Sequence, residues 1–139
     1  MNTSHRFAVG VHVMALLTLS AAPLSSSYIA GSVNTNPAMI RRILGMLGKA
    51  GLTVSAMGSQ GGTMLAKPAA EISLLDIYRA VEAPGILALH ASAPNPACPV
   101  GKGITAVLEG VITRAEHAME SVIAATTIQD VVQSQGIKQ

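Results

Sequence analysis

LSSSYIAGSVNTNPAMIRRILGMLGKAGLTVSAMGSQGGTMLAK, residues 24–67, holds two helices, a tight turn between them, and a glycine-centred hairpin. Ser25, Ser26 and Ser27 supply hydroxyls that can cap a helix start, and Tyr28 to Val33 follows as a short helix. Asn34-Thr35-Asn36-Pro37 ends that helix and begins the next, because asparagine is a favoured N-cap and proline suits the first helical position. From Pro37 to Lys49, apolar Ile40, Ile43, Leu44 and Leu47 recur at the spacing of a helix packed on one face. Ala38, Arg41, Gly45 and Lys49 lie broadly opposite, with Arg42 on the flank, and Ala50-Gly51 closes the helix with a residue free to take positive φ. Leu52–Ala56 reads as a strand, 58–62 as a turn, and Thr63–Lys67 as the returning strand. The pattern predicts a mainly α fold with a small β-hairpin wing, a winged helix-turn-helix. In the helix-turn-helix mode the second helix enters the major groove of DNA and its N-terminal residues meet base edges.

Charge supports that expectation. Residues 1–70 carry five bases (Arg6, Arg41, Arg42, Lys49, Lys67) and no acid, a net +5. Four bases and seven acids follow, a net −3. A half that is purely basic fits contact with a polyanion. At 139 residues the chain suits one domain with a real core, and 50% hydrophobic against 12% charged residues implies apolar surface hidden in an oligomer. The single cysteine, Cys98, excludes an intramolecular disulfide, fits a reducing compartment, and leaves one chain unable to build a cysteine-rich zinc site.

The first 22 residues admit two interpretations. His5-Arg6, an apolar run and Ser20-Ala21-Ala22 resemble a secretory signal. His12 interrupts the run, however, and Thr3 or Ser4 can cap a helix that packs under the other two. The run is too short to span a membrane. Beyond the hairpin, Ser73 and Asp76 form the capping-box pair of a helix carrying Leu74, Leu75, Ile77, Tyr78 and Val81, stopped by 83–85. Residues 91–99 are proline-rich, and Gly101-Lys102-Gly103 is expected to introduce a long helix from Ile104 to Ala125. Along it Ile104, Leu108, Val111, Ala115, Ala118 and Val122 alternate four and three residues apart, a seam for a partner helix. Val107, Ile112, Met119 and Ile123 widen the apolar surface. Thr126-Thr127 can cap a last short helix. The expected organisation is a DNA-binding unit over 1–83, a link over 84–103, and a dimerisation helix with a terminal short helix over 104–139.

Val33–Pro37, Arg41-Arg42-Ile43-Leu44, Lys49-Ala50-Gly51-Leu52 and Gly58-x-x-Gly61-Gly62-x-x-Leu65-Ala66 together resemble the Rrf-two family of bacterial transcriptional regulators, closest to its YwnA-like branch. Residues 72–82 and Asn95-Pro96-x-Cys98-Pro99-Val100-Gly101-Lys102 extend the likeness over nearly the whole chain. The resemblance implies a homodimeric, cytoplasmic repressor. The expected contacts to double-stranded DNA are Ser26, Ser27, Thr35, Asn36, Pro37, Ala38, Arg41 and Arg42, with Gly58, Ser59, Gln60, Gly61 and Gly62 of the wing. Arginine binds guanine bidentately or holds phosphate, and asparagine and threonine donate to bases or phosphates. The wing departs from the family pattern. Met57 stands where relatives place an arginine, and Thr63 where they place an aromatic residue.

Many relatives hold an iron–sulfur cluster on three cysteines. This chain has Cys98 alone, so no cofactor or metal is expected. Cys98, ahead of a helix start, remains a candidate redox thiol. The glycine loops lack the lysine and hydroxyl ending of a phosphate-binding P-loop, and no nucleophile elbow or paired-acid motif marks an enzyme. Two other functions stay open: a winged protein-interaction module without DNA binding, and a thiol or small-molecule sensor acting through residues 86–104.

Overall fold

The computed structural model describes residues 4–83 and 85–137; Thr3, Pro84 and the last two residues lie outside that range. Six helices and one hairpin follow in chain order: α1 (Arg6–Leu19), α2 (Ser26–Val33), α3 (Pro37–Lys49), β1 (Thr53–Ala56), β2 (Gly62–Leu65), α4 (Leu74–Val81), α5 (Pro99–Ala124) and α6 (Ile128–Ser134). A single 3₁₀ turn, Ala69–Glu71, joins the hairpin to α4. No described helix is long and apolar enough to cross a membrane.

Local chemistry sets the helix ends. The Ser25 side chain accepts from the Tyr28 amide at 3.1 Å, and Asn36 Oδ1 accepts from the Met39 amide at 2.8 Å, with Pro37 in the first turn of α3. Asn34 takes the left-handed conformation (φ 64°) that lets α2 stop and turn. His5 occupies the cap position of α1 without a side-chain cap bond, while Ser4 Oγ accepts from the Arg6 amide. Reciprocal capping boxes start α4 (Ser73 with Asp76) and α6 (Thr127 with Asp130).

Those two boxes lie side by side. The Leu74 amide donates to the Thr126 carbonyl and the Ile128 amide to the Ile72 carbonyl, both at 2.9 Å. This short antiparallel bridge returns the chain to the winged unit after α5. Ile128 of α6 is fully buried in one core with Val13 and Met14 of α1, Ile29 of α2, Ile40, Ile43 and Leu47 of α3, and Ile77 of α4. Phe7 meets Tyr78 edge to face, ring centres 6.1 Å apart.

β1 and β2 pair antiparallel in the register Thr53↔Leu65, Val54↔Met64, Ser55↔Thr63, Ala56↔Gly62. The link between α1 and α2 adds one more rung. Leu24 and Thr63 exchange both backbone hydrogen bonds, at 3.0 and 2.9 Å, tying the wing to the helical core. Gly62 permits this, because a β-carbon there would sit 2.5 Å from the Leu24 carbonyl oxygen.

α5 departs from expectation at its start. It begins at Pro99, with Cys98 at the cap position, five residues before Ile104. Proline at the first position needs no amide partner. Gly101 lies inside the helix, where a β-carbon would collide with the Asn95 carbonyl, so it seats the preceding loop against the helix instead of introducing it. None of the 26 residues of α5 is buried.

Candidate nucleic-acid interface

The caps that shape α2 and α3 also fix which side chains stand clear of the core. With Ile40, Ile43 and Leu47 turned inward, Arg41, Arg42 and Ala38 are exposed. Asn36 is exposed but spends its side-chain oxygen on the cap, leaving its amide nitrogen to face outward chemistry. Ser27 is exposed, while Ser26, Thr35 and Pro37 are half-buried. In the wing, Gly58, Ser59 and Gln60 project fully, and Gly61 and Gly62 are half-buried against the hairpin and Leu24.

A groove of about 530 Å³ runs between α3 and the hairpin. It brings together Ser26, Arg41 and Gly62 of the expected contacts. Thr35, Asn36, Ala38, Arg42 and the wing tip lie outside its lining. Four polar residues outside the expected contacts line it too: Lys49, Thr53, Ser55 and Thr63. The helical spacing of Arg41 and Lys49 was the signal available for Lys49; the serine and threonines depend on strand register. Among the described residues the ion pairs are Arg6 with Glu82 at 3.8 Å and Arg79 with Glu120 at 3.3 Å, so Arg41, Arg42 and Lys49 have no acidic partner.

The long helix divides its apolar residues between two sides. Met119 and Ile123 face Phe7 and Tyr78 across a small cavity of about 210 Å³. On the other side Val111 and Val122 are 46% and 69% exposed, and Ala115 and Ala118 are exposed with them; Ile104 and Leu108 are half-buried. Tyr78 has its phenol pushed above the ordinary value, first by burial and then by Glu82, Glu116 and Glu120. Cys98 is exposed, and hydrogen bonds from the backbone at Gly101 and Val100 hold its thiol below the ordinary value.

The profile of Rrf2, described as an iron-dependent transcriptional regulator, matches residues 3–134. The chain belongs to the Rrf2 family of transcriptional regulators. It is 41% identical over 128 residues to the protein of Bacillus subtilis (strain 168) named as the HTH-type transcriptional regulator YwnA, covering 91% of this chain and 94% of YwnA. A crystal structure described as a DNA-binding protein is similar over 91% of this chain and 97% of its own, with 37% identity and a TM-score of 0.75. IscR of T. potens is similar over 100% of this chain and 93% of its own, at 25% identity and a TM-score of 0.73. These likenesses bear out the winged fold with its hairpin and long C-terminal helix, and they place the chain among Rrf2 regulators and not among enzymes.

The iron of the Rrf2 description does not fit the donors in this chain. One cysteine per chain gives a dimer two thiolates, fewer than the four ligands a cluster takes. No group of three or more His, Cys, Asp or Glu among the described residues is placed to hold a metal ion.

Proposed function

We propose that this chain represses transcription in the cytoplasm as a homodimer on a two-fold DNA site. The observation that carries this reading is the acid-free cationic face on α3, where Arg41 and Arg42 follow the exposed start of the helix, Lys49 ends it, and no carboxylate pairs with them among the described residues. α3 enters the major groove. Thr35, Asn36, Pro37 and Ala38 lie at its leading end, Arg41 and Arg42 follow on its flank, Ser26 and Ser27 hold phosphate at the start of α2, and residues 58–62 reach the adjacent backbone. Phosphate contacts supply salt-sensitive affinity and base contacts supply selection.

Dimerisation is supported by the exposed side of α5. Val111, Ala115, Ala118 and Val122 turn away from the chain's own core, and the two alanines let a second helix approach closely. Residues 1–83 then act as the reading unit, 84–103 as the link, and 104–139 as the assembly unit.

Selection of bound duplexes from a random-sequence pool, followed by affinity measured against salt, tests this. The expected result is an enriched two-fold motif, steep salt dependence, and loss of binding in the Arg41→Ala/Arg42→Ala double variant. A well-folded wild type that enriches nothing and ignores salt would point to a winged protein-interaction module.

A further inference from the structure

We infer that two adjoining cavities between α4 and α5 form one binding site for a small organic amine, taken as its ammonium form on an apolar or aromatic body. Glu82 and Glu116 would hold the ammonium, and Phe7, Tyr78, Met119 and Ile123 the body. One cavity, of about 210 Å³, lies against Phe7, Met119 and Ile123. The other, of about 180 Å³, has Arg79, Glu116 and Glu120 in its wall. Tyr78, Glu82 and Met119 line both, so an apolar space and an acidic one meet at the same three side chains. The inference concerns binding alone and does not rest on the DNA-binding reading.

Three observations converge on it. The first is Glu82, at the end of α4, whose side chain is only 7% exposed. Both of its contacts fall on one oxygen: Ser4 Oγ donates to Oε1 at 2.7 Å, and Arg6 Nε lies 3.8 Å from the same atom. Oε2 has no hydrogen-bond partner among the described residues. A buried carboxylate oxygen without a donor costs free energy, and an ammonium N–H would restore it with a charge-assisted bond. The second is charge. Glu82, Glu116 and Glu120 are set against Arg79, which donates to Glu120 at 3.3 Å, and against Arg6 just outside the lining. Three carboxylates and two guanidiniums leave one negative charge, and Glu116 enters no ion pair among the described residues. That excess matches a monocation. Tyr78 registers the same field, its phenol pushed up first by burial and then by Glu82, Glu116 and Glu120. The third is the apolar end, where Phe7 and Tyr78 meet edge to face and Met119 and Ile123 complete the wall. Small-molecule sites pair such walls with a few placed polar groups, and each space here is smaller than the roughly 300–1,000 Å³ of drug-sized sites, which sets a small ligand. A bare metal ion fits less well, because no group of three or more His, Cys, Asp or Glu among the described residues is placed to hold one.

Calorimetric titration of the full chain with phenethylamine and with benzylamine, near neutral pH and at fixed ionic strength, tests this. Phenethyl alcohol and hydrocinnamate serve as the neutral and anionic counterparts, and each compound is also scored by thermal melting. At ten times its Kd an amine is expected to raise the melting temperature by roughly 5 °C. The alcohol and the carboxylate are expected to bind about tenfold more weakly or not at all. Glu116→Gln removes a charge that no ion pair uses, so it should melt like wild type without ligand and bind the amines about tenfold more weakly. Glu82→Gln should lose at least as much. Glu109→Gln makes the same change in net charge at an exposed position of α5 outside both cavities, and it should bind as wild type does. A wild type that takes up neither amine at about 10 mM would overturn the site, well above the millimolar range of weak binding. Equal affinity for amine and alcohol would overturn it too, as would amine affinity unchanged in both Glu116→Gln and Glu82→Gln. An equal loss in Glu109→Gln would assign the effect to overall charge and overturn it as well.

Discussion

Gly62→Ala tests how the wing is held. A β-carbon at Gly62 would lie 2.5, 2.6 and 2.9 Å from the carbonyl oxygen, carbonyl carbon and amide nitrogen of Leu24. These are backbone atoms and cannot swing aside like the end of a flexible side chain. The chain can relieve the overlap by parting Leu24 from Thr63, which sacrifices the two hydrogen bonds at 3.0 and 2.9 Å. At about 0.5–1.5 kcal/mol net for each, the loss is about 1–3 kcal/mol. For a chain of this size that lowers the melting temperature by roughly 4 °C per kcal/mol. The helical core should persist, since its buried residues lie on the helices and on Leu52 and Ile72. Circular dichroism melting gives the magnitude, and amide hydrogen exchange locates it: Leu24 and Thr63 should lose protection while Ile43 and Leu47 keep theirs. DNA affinity should fall with the displaced hairpin. Gly31→Ala is the control, because a β-carbon there meets nothing within 4 Å and alanine should stabilise α2 by about 0.5–1 kcal/mol. Unchanged melting with Leu24 and Thr63 still protected in Gly62→Ala would refute the anchoring role.

Other outcomes follow from the same geometry. Arg41→Ala and Arg42→Ala, tested singly, should separate their roles: a base-reading arginine costs about 1–3 kcal/mol and relaxes one position, whereas a phosphate-binding one weakens all sequences and flattens the salt slope. Val111→Glu should convert dimers to monomers in sedimentation at micromolar concentration, because it would place an unpaired charge at the proposed contact; a mutant dimer of wild-type affinity would put the interface elsewhere. Anaerobically purified protein should yield no stoichiometric iron and sulfide on chemical analysis, and finding both would require ligands other than Cys98. The lowered Cys98 pKa favours thiolate, so its iodoacetamide alkylation rate should reach half-maximum at a pH below that of an ordinary thiol; a midpoint at or above the ordinary value would contradict the backbone donation at Val100 and Gly101.

What the sequence made legible was mostly local. Asn36, Pro37 and the stripe of Ile40, Ile43 and Leu47 mark the bounds of α3, and the capping box of α4 announces itself by Ser73 followed three places later by Asp76; for α6 the Thr127 cap was legible, and its return bond from Asp130 came with the structure. The start of α5 was hidden because Gly101 looks like a helix breaker until the Asn95 carbonyl that occupies its missing side chain is seen. The Leu24 rung was hidden for a related reason: one residue pairing across 39 positions leaves no periodic trace. Helical period exposed the apolar residues of α5 but not how they divide. Only the fold shows that Met119 and Ile123 face Phe7 and Tyr78 of the same chain while Val111 and Val122 are exposed. At the candidate interface, Arg41 was visible from helix periodicity. Ser55 was not, since its place beside α3 depends on how the hairpin folds back.

The bridge between the start of α4 and the start of α6 makes α5 a strut clamped at its C-terminal end. The chain rejoins the winged unit at Thr126 and Ile128, and Arg79 of α4 pairs with Glu120, so the 26-residue helix is held along its C-terminal part and cannot swing there like a tether. Its length, about 39 Å, is close to one turn of duplex, about 34–36 Å. Two such struts laid against each other would work as a caliper whose opening is set before DNA arrives. Inserting base pairs between the half-sites should then cost affinity abruptly, where a flexible linker would forgive them.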